Sequence, residues 1–98
     1  MRFYLAAFFL VAAAMAQDDI PKDVRSKDVR EIGKGGTGAI PRLTELLKNP
    51  ATDVRVEAVK QLTDARALDA LILATHDNQA EVQIRATDGL VNFYVPGY

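Results

Sequence analysis

Along Asp53–Leu62, DVRVEAVKQL, the apolar residues Val54, Ala58, Val59 and Leu62 follow one another at helical spacing. On a wheel of about 100° per residue they share one face, whereas a strand would alternate every second residue. The spacing predicts a helix packed on one side. The same pattern returns 28 residues later in Glu81–Leu90, EVQIRATDGL, and stands 30 residues earlier in Asp23–Ile32, DVRSKDVREI. In register, Val24, Val54 and Val82 share a position, as do Val29, Val59 and Thr87, and Ile32, Leu62 and Leu90. The third copy is expected to continue to Tyr94, ahead of Pro96-Gly97.

A second apolar helix follows each of the first two copies. Ala39, Ile40, Leu43 and Leu47 match Ala67, Leu68, Leu71 and Thr75, which predicts helices over Ala39–Lys48 and Ala67–His76. Return segments Asn49–Thr52 and Asp77–Ala80 separate the pairs, rich in residues that stop one helix and cap the next. Paired helices at a period of about 30 residues predict an all-α fold, an α-α solenoid of about two and a half helix pairs. The first copy is the most polar, with Asp28 in the place of Ala58 and Ala86, as a terminal repeat with no outer neighbour would be.

These residues resemble the HEAT repeat family, and most closely its short subtype known from phycobilisome lyases. Val54-Arg55, Ala58 and Leu62 carry the resemblance, with Val24-Arg25 and Ile32-Gly33, over Ile20–Val95. The resemblance implies a HEAT-like superhelix whose second helices line the concave face. Arg42, Glu45, Arg66 and Asp69, with Lys48, are then candidate partner-facing residues. Arg25 and Arg55 stand inside the apolar arcs of their helices. The resemblance implies buried arginine stems whose heads pair between repeats, with Asp53, Asp77 and the carbonyls ending the second helices as acceptors. In the third copy Gln83 replaces the arginine, which interrupts a continuous ladder.

The chain starts differently. Met1–Ala16, MRFYLAAFFLVAAAMA, has a basic start, an apolar middle and small residues before Gln17. This predicts a secretory signal cleaved between Ala16 and Gln17, and therefore an exported protein, periplasmic or secreted. The apolar run is short of the roughly 20 residues of a membrane span, so no stable span remains after signal removal. The expected organisation is a signal over 1–16, a tether over 17–22, repeats over 23–95 and a tail over 96–98. At 98 residues this is one small domain.

The chemistry in the sequence is sparse. The net charge is −1 with no basic cluster, which excludes nucleic acid as an expected partner. There is no cysteine, so thiol chemistry and disulfides are absent. Gly33–Gly38, GKGGTG, lacks the strand and the lysine position of a phosphate loop, and reads as an interhelical turn with Pro41 opening the next helix. His76 and Ser26 have no companions that would make a metal site or an activated nucleophile. No catalytic residue, metal ligand or cofactor is expected. The reading is a non-catalytic exported protein-interaction module or scaffold, able to form the front of a longer array. Its apolar C-terminal end, around Phe93 and Tyr94, is a candidate for protein binding or self-association. The subtype suggests the alternative of a bilin-lyase-like enzyme or cofactor chaperone. A further alternative is an accessory domain of a larger exported enzyme.

Overall fold

The computed structural model describes residues 23–95, all of whose regular structure is helical. The expected signal, its cleavage point at Ala16–Gln17, the tether and the tail lie outside the described residues. Five α-helices follow in order: α1 (Ser26–Gly33), α2 (Ile40–Leu46), α3 (Thr52–Asp64), α4 (Leu68–Ala74) and α5 (Ala80–Tyr94). A 3-10 turn over Gly36–Ala39 leads into α2.

Helix α3 is the centre of the packing. It meets α1 and α5 on its two sides, and also touches α2 and α4. Val29 from α1, Leu43 from α2, Val54, Val59 and Leu62 from α3, Leu71 from α4 and Val82 from α5 are the largest side chains withdrawn fully from solvent. The shared valine position is buried in all three copies, at Val24, Val54 and Val82. Where the copies differ, burial differs too: Val29 and Val59 are inside, and Thr87 at the same position on α5 is exposed.

The helices differ from the expected spans at their ends. The first begins at Ser26 rather than Asp23, because Arg25 is extended (φ −117°, ψ 166°) and its N–H donates to Asp28 Oδ2 at 2.9 Å. Asp28 thus caps the helix, so its polarity has a local use. The second helices are shorter than expected. Gly36 takes a left-handed conformation (φ 63°), which a glycine adopts without steric cost, and Pro41 enters α2 in its first turn.

The end of α3 is closed by two crossed hydrogen bonds, Ala67 N–H to the Leu62 carbonyl (2.9 Å) and Arg66 N–H to the Thr63 carbonyl (3.0 Å). This is the Schellman arrangement, and it places Arg66 in the left-handed region at φ 57°. Arg66 alone among the described non-glycine residues has a positive φ.

Candidate functional site

The densest polar construction in the fold surrounds Arg55. Its position early in α3 puts it inside an apolar arc, with its side chain only 11% exposed. A buried guanidinium needs acceptors for its donors. Nε donates to Asp77 Oδ2 at 2.9 Å, and Nη2 to Asp77 Oδ1 at 3.3 Å and Asn78 Oδ1 at 3.4 Å. Nη1 donates to the carbonyls of Asn49 (2.7 Å) and Pro50 (3.2 Å). One side chain therefore ties the turn before α3 to the turn before α5. Among the described residues, no buried side-chain nitrogen or oxygen lacks a partner.

The two turns are built alike. The Asn49 Oδ1 accepts from the Ala51 N–H, and the Asp77 Oδ1 accepts from the Gln79 N–H, each at 2.9 Å. These are Asx turns, in which a short polar side chain replaces a backbone acceptor. Gln83 occupies on α5 the place of Arg55 on α3. Its Nε2 donates to the Asp77 carbonyl, as Arg55 donates to the Asn49 carbonyl. Each side chain closes its own turn, and only the arginine also crosses to the other one.

Arg25 is placed differently. Because α1 starts after it, its side chain is 69% exposed and its Nε lies 3.8 Å from Asp28 Oδ2. Asp53 accepts from Ser26 Oγ at 3.1 Å rather than from an arginine. The ion pair between α1 and α3 is instead Arg30 with Glu57, at 3.1 Å. Glu57 is buried and also accepts from Gln61 Nε2 at 3.1 Å. Sequence reasoning passed over this pair. Its signal was the shared separation: Ser26 and Asp53 stand 27 residues apart, as do Arg30 and Glu57.

The remaining surface candidates separate into groups. Ile40 and Thr44 of α2 face Ala67, Leu68, Asp69, Ala70 and Leu73 across a shallow open groove. Leu68, Leu73 and the nearby Ile72 expose much of their apolar surface to solvent. Asp69 is at this groove, whereas Arg66 belongs to the turn that ends α3. Arg42 is exposed on α2, and Glu45, also exposed, lies 3.8 Å from Lys48. At the C-terminal end Phe93 packs against the core, while Tyr94 is 73% exposed.

His76 lies two residues past the end of α4 with its Nδ1 at 3.2 Å from the Ile72 carbonyl, a position suited to capping the open carbonyls of that helix. Among the described residues no three His, Cys, Asp or Glu side chains cluster as a metal site would require. No described helix is long and apolar enough to cross a membrane. No protein-family model, curated protein or solved structure matches the chain.

Proposed function

We propose that this protein is a short HEAT-like α-solenoid, exported to the periplasm or secreted, that acts as a non-catalytic protein-interaction module. The groove between α2 and α4 carries the reading. Ile40, Leu68, Ile72 and Leu73 bring apolar side chains to the surface of the second helices, with Asp69 at the rim. Apolar surface held open by rigid helices suits the burial of a partner's side chains. The solenoid reading draws on the way α3 packs against its neighbours: the Ser26–Asp53 and Arg30–Glu57 contacts repeat one offset, and Gly89 meets Thr63 in the corresponding register on the far side.

Site-specific photocrosslinking in the source cells tests the module. A photoreactive residue at Leu73 should yield a discrete crosslinked protein, and the same residue at Lys60, which lines a different hollow between α3 and α5, should not. Equal products from both positions, or none from Leu73, would refute the groove as the binding surface. Export is tested separately by sequencing the amino terminus of the exported protein, which should begin at Gln17.

A further inference from the structure

The two seams of α3 are equivalent in sequence register and different in chemistry. Positions of α1 correspond to those of α3 30 residues later, and positions of α3 to those of α5 28 residues later. Across the first seam Ser26 donates to Asp53, Arg30 pairs with Glu57, and Glu57 also accepts from Gln61, which lies against Gly33. The same places across the second seam are Val56 and Glu81, Lys60 and Arg85, and Thr63 against Gly89. Arg85 thus stands in the place of the Glu57 carboxylate, and Gly89 in the place of the Gln61 amide. Among the described residues no side-chain hydrogen bond or ion pair joins α3 to α5. What is left is an open hollow of about 370 Å³ between the two helices, with Lys60 on one wall and Arg85 on the other.

Two carboxylates line the same hollow, Asp64 one turn beyond Lys60 and Asp88 three residues beyond Arg85. None of these four charged side chains forms a hydrogen bond or ion pair among the described residues. Within each helix the basic residue precedes the acidic one, which is the less favourable order for such a pair. An isolated anion drawn to Lys60 and Arg85 would meet the two carboxylates, and an isolated cation would meet the two basic groups. A small molecule that carries both charges side by side satisfies both. The Thr63 hydroxyl already donates to the Val59 carbonyl at 2.8 Å, so toward the hollow it can only accept, which suits an ammonium.

We propose that this hollow binds a free α-amino acid. Its carboxylate lies between Lys60 and Arg85, in the place Glu57 fills in the first seam, and its ammonium lies against Asp64 and Asp88. The hollow is at the small end of ligand pockets, which span roughly 300–1,000 Å³. Bound there, the ligand joins α3 to α5 where the chain itself makes no polar link. This site is separate from the α2–α4 groove, so either can fail alone.

Amide chemical shifts of the isotopically labelled full chain test the site, with L-alanine as the probe and acetate and methylammonium as its two halves at equal ionic strength. L-Alanine should shift the Thr63 and Gly89 amides saturably, with a Kd of about 1 mM for so small a ligand in an open site. Each half alone should bind about tenfold or more weakly, having lost its charge-assisted contacts on one side. Arg85→Glu recreates with Lys60 the pair that Arg30 makes with Glu57, so it should abolish L-alanine binding and raise the melting temperature. Lys60→Arg keeps the charge and should keep binding. Asp64→Asn/Asp88→Asn should remove the advantage of L-alanine over acetate. All four positions are exposed, and a dispersed spectrum shows that each variant is folded. The absence of a saturable shift overturns the inference. So does acetate binding as tightly as L-alanine, L-alanine binding that survives Arg85→Glu, or an advantage over acetate that persists without the two carboxylates.

Discussion

Arg55 and Asp77 form a two-point ion pair with both side chains about nine-tenths buried, Nε to Oδ2 at 2.9 Å and Nη2 to Oδ1 at 3.3 Å. The two residues stand 22 positions apart in the chain, and the arginine also closes the turn before α3 through the Asn49 and Pro50 carbonyls. Removing one member of a buried pair leaves the other charge without its partner, which costs about 3–5 kcal/mol. Arg55→Ala should therefore lose about that much unfolding free energy, measured by urea denaturation. Arg55→Lys should recover less than half of it, because an ammonium cannot reproduce the planar fork. Asp77→Asn should cost less than Asp77→Ala, since an amide oxygen can still accept the Gln79 N–H.

The Arg30–Glu57 pair has a comparable distance but a different setting. Glu57 is buried, while the Arg30 side chain is 55% exposed, so water screens the contact and competes for the guanidinium. Arg30→Ala should cost less than about 1 kcal/mol, with Gln61 continuing to donate to Glu57. The check is the rank order in one denaturation series. Arg55→Ala must fall well below Arg30→Ala, and 1 M salt should narrow the effect of Arg30 more than that of Arg55.

The sequence carries the burial pattern because helical periodicity is local. Val54, Val59 and Leu62 are inside for the reason their spacing gives. The resemblance implies a buried arginine with an acceptor in the neighbouring repeat, and of the acceptors it names the fold uses Asp77 and adds the carbonyls of the return segment at Asn49 and Pro50. Other features depend on geometry that no local pattern encodes. Arg25 lies outside its apolar arc because the capping contact with Asp28 delays the start of α1. The burial of Glu57 comes from α1 crossing over it, and nothing in VEAVK marks that carboxylate as different from a solvated one. The left-handed conformation of Arg66 is equally silent in the sequence, because arginine is not the residue type that usually holds it.

Arg66 yields the stabilising prediction. Its φ of 57° brings the Cβ toward the neighbouring carbonyl, a cost of roughly 1–2 kcal/mol that glycine avoids, partly offset by the entropy glycine loses on folding. The Schellman hydrogen bonds involve backbone only and survive the change. Arg66→Gly should stabilise by about 0.5–1 kcal/mol, a rise of several degrees in melting temperature for a domain of this size. Arg66→Val should lower it, since branching at Cβ worsens the same clash.

Two glycines mark where α3 is approached most closely, and they should respond differently to alanine. A Cβ on Gly89 would stand 2.5 Å from Thr63 Oγ1 and 3.4 Å from Thr63 Cβ, a short side chain whose hydroxyl is already held by the Val59 carbonyl at 2.8 Å. A Cβ on Gly33 would meet Gln61 Oε1, Cδ and Cγ, all closer than 3 Å, but that side chain is longer and can move if it gives up its hydrogen bond to Glu57. Overpacking costs about 1–3 kcal/mol, against a gain of up to about 1 kcal/mol when alanine replaces glycine within a helix. Gly89→Ala should therefore be the more destabilising of the two, and Gly33→Ala should cost less because the longer Gln61 side chain can move. Thr63→Ala should relieve the first clash, so the Thr63→Ala/Gly89→Ala double variant should be more stable than Gly89→Ala alone. Thr63→Ser, which keeps the oxygen, should relieve it less. A melting series over these five proteins checks the register of α3 against α5. If Gly89→Ala melts at or above the wild type, the two helices do not pack through these residues.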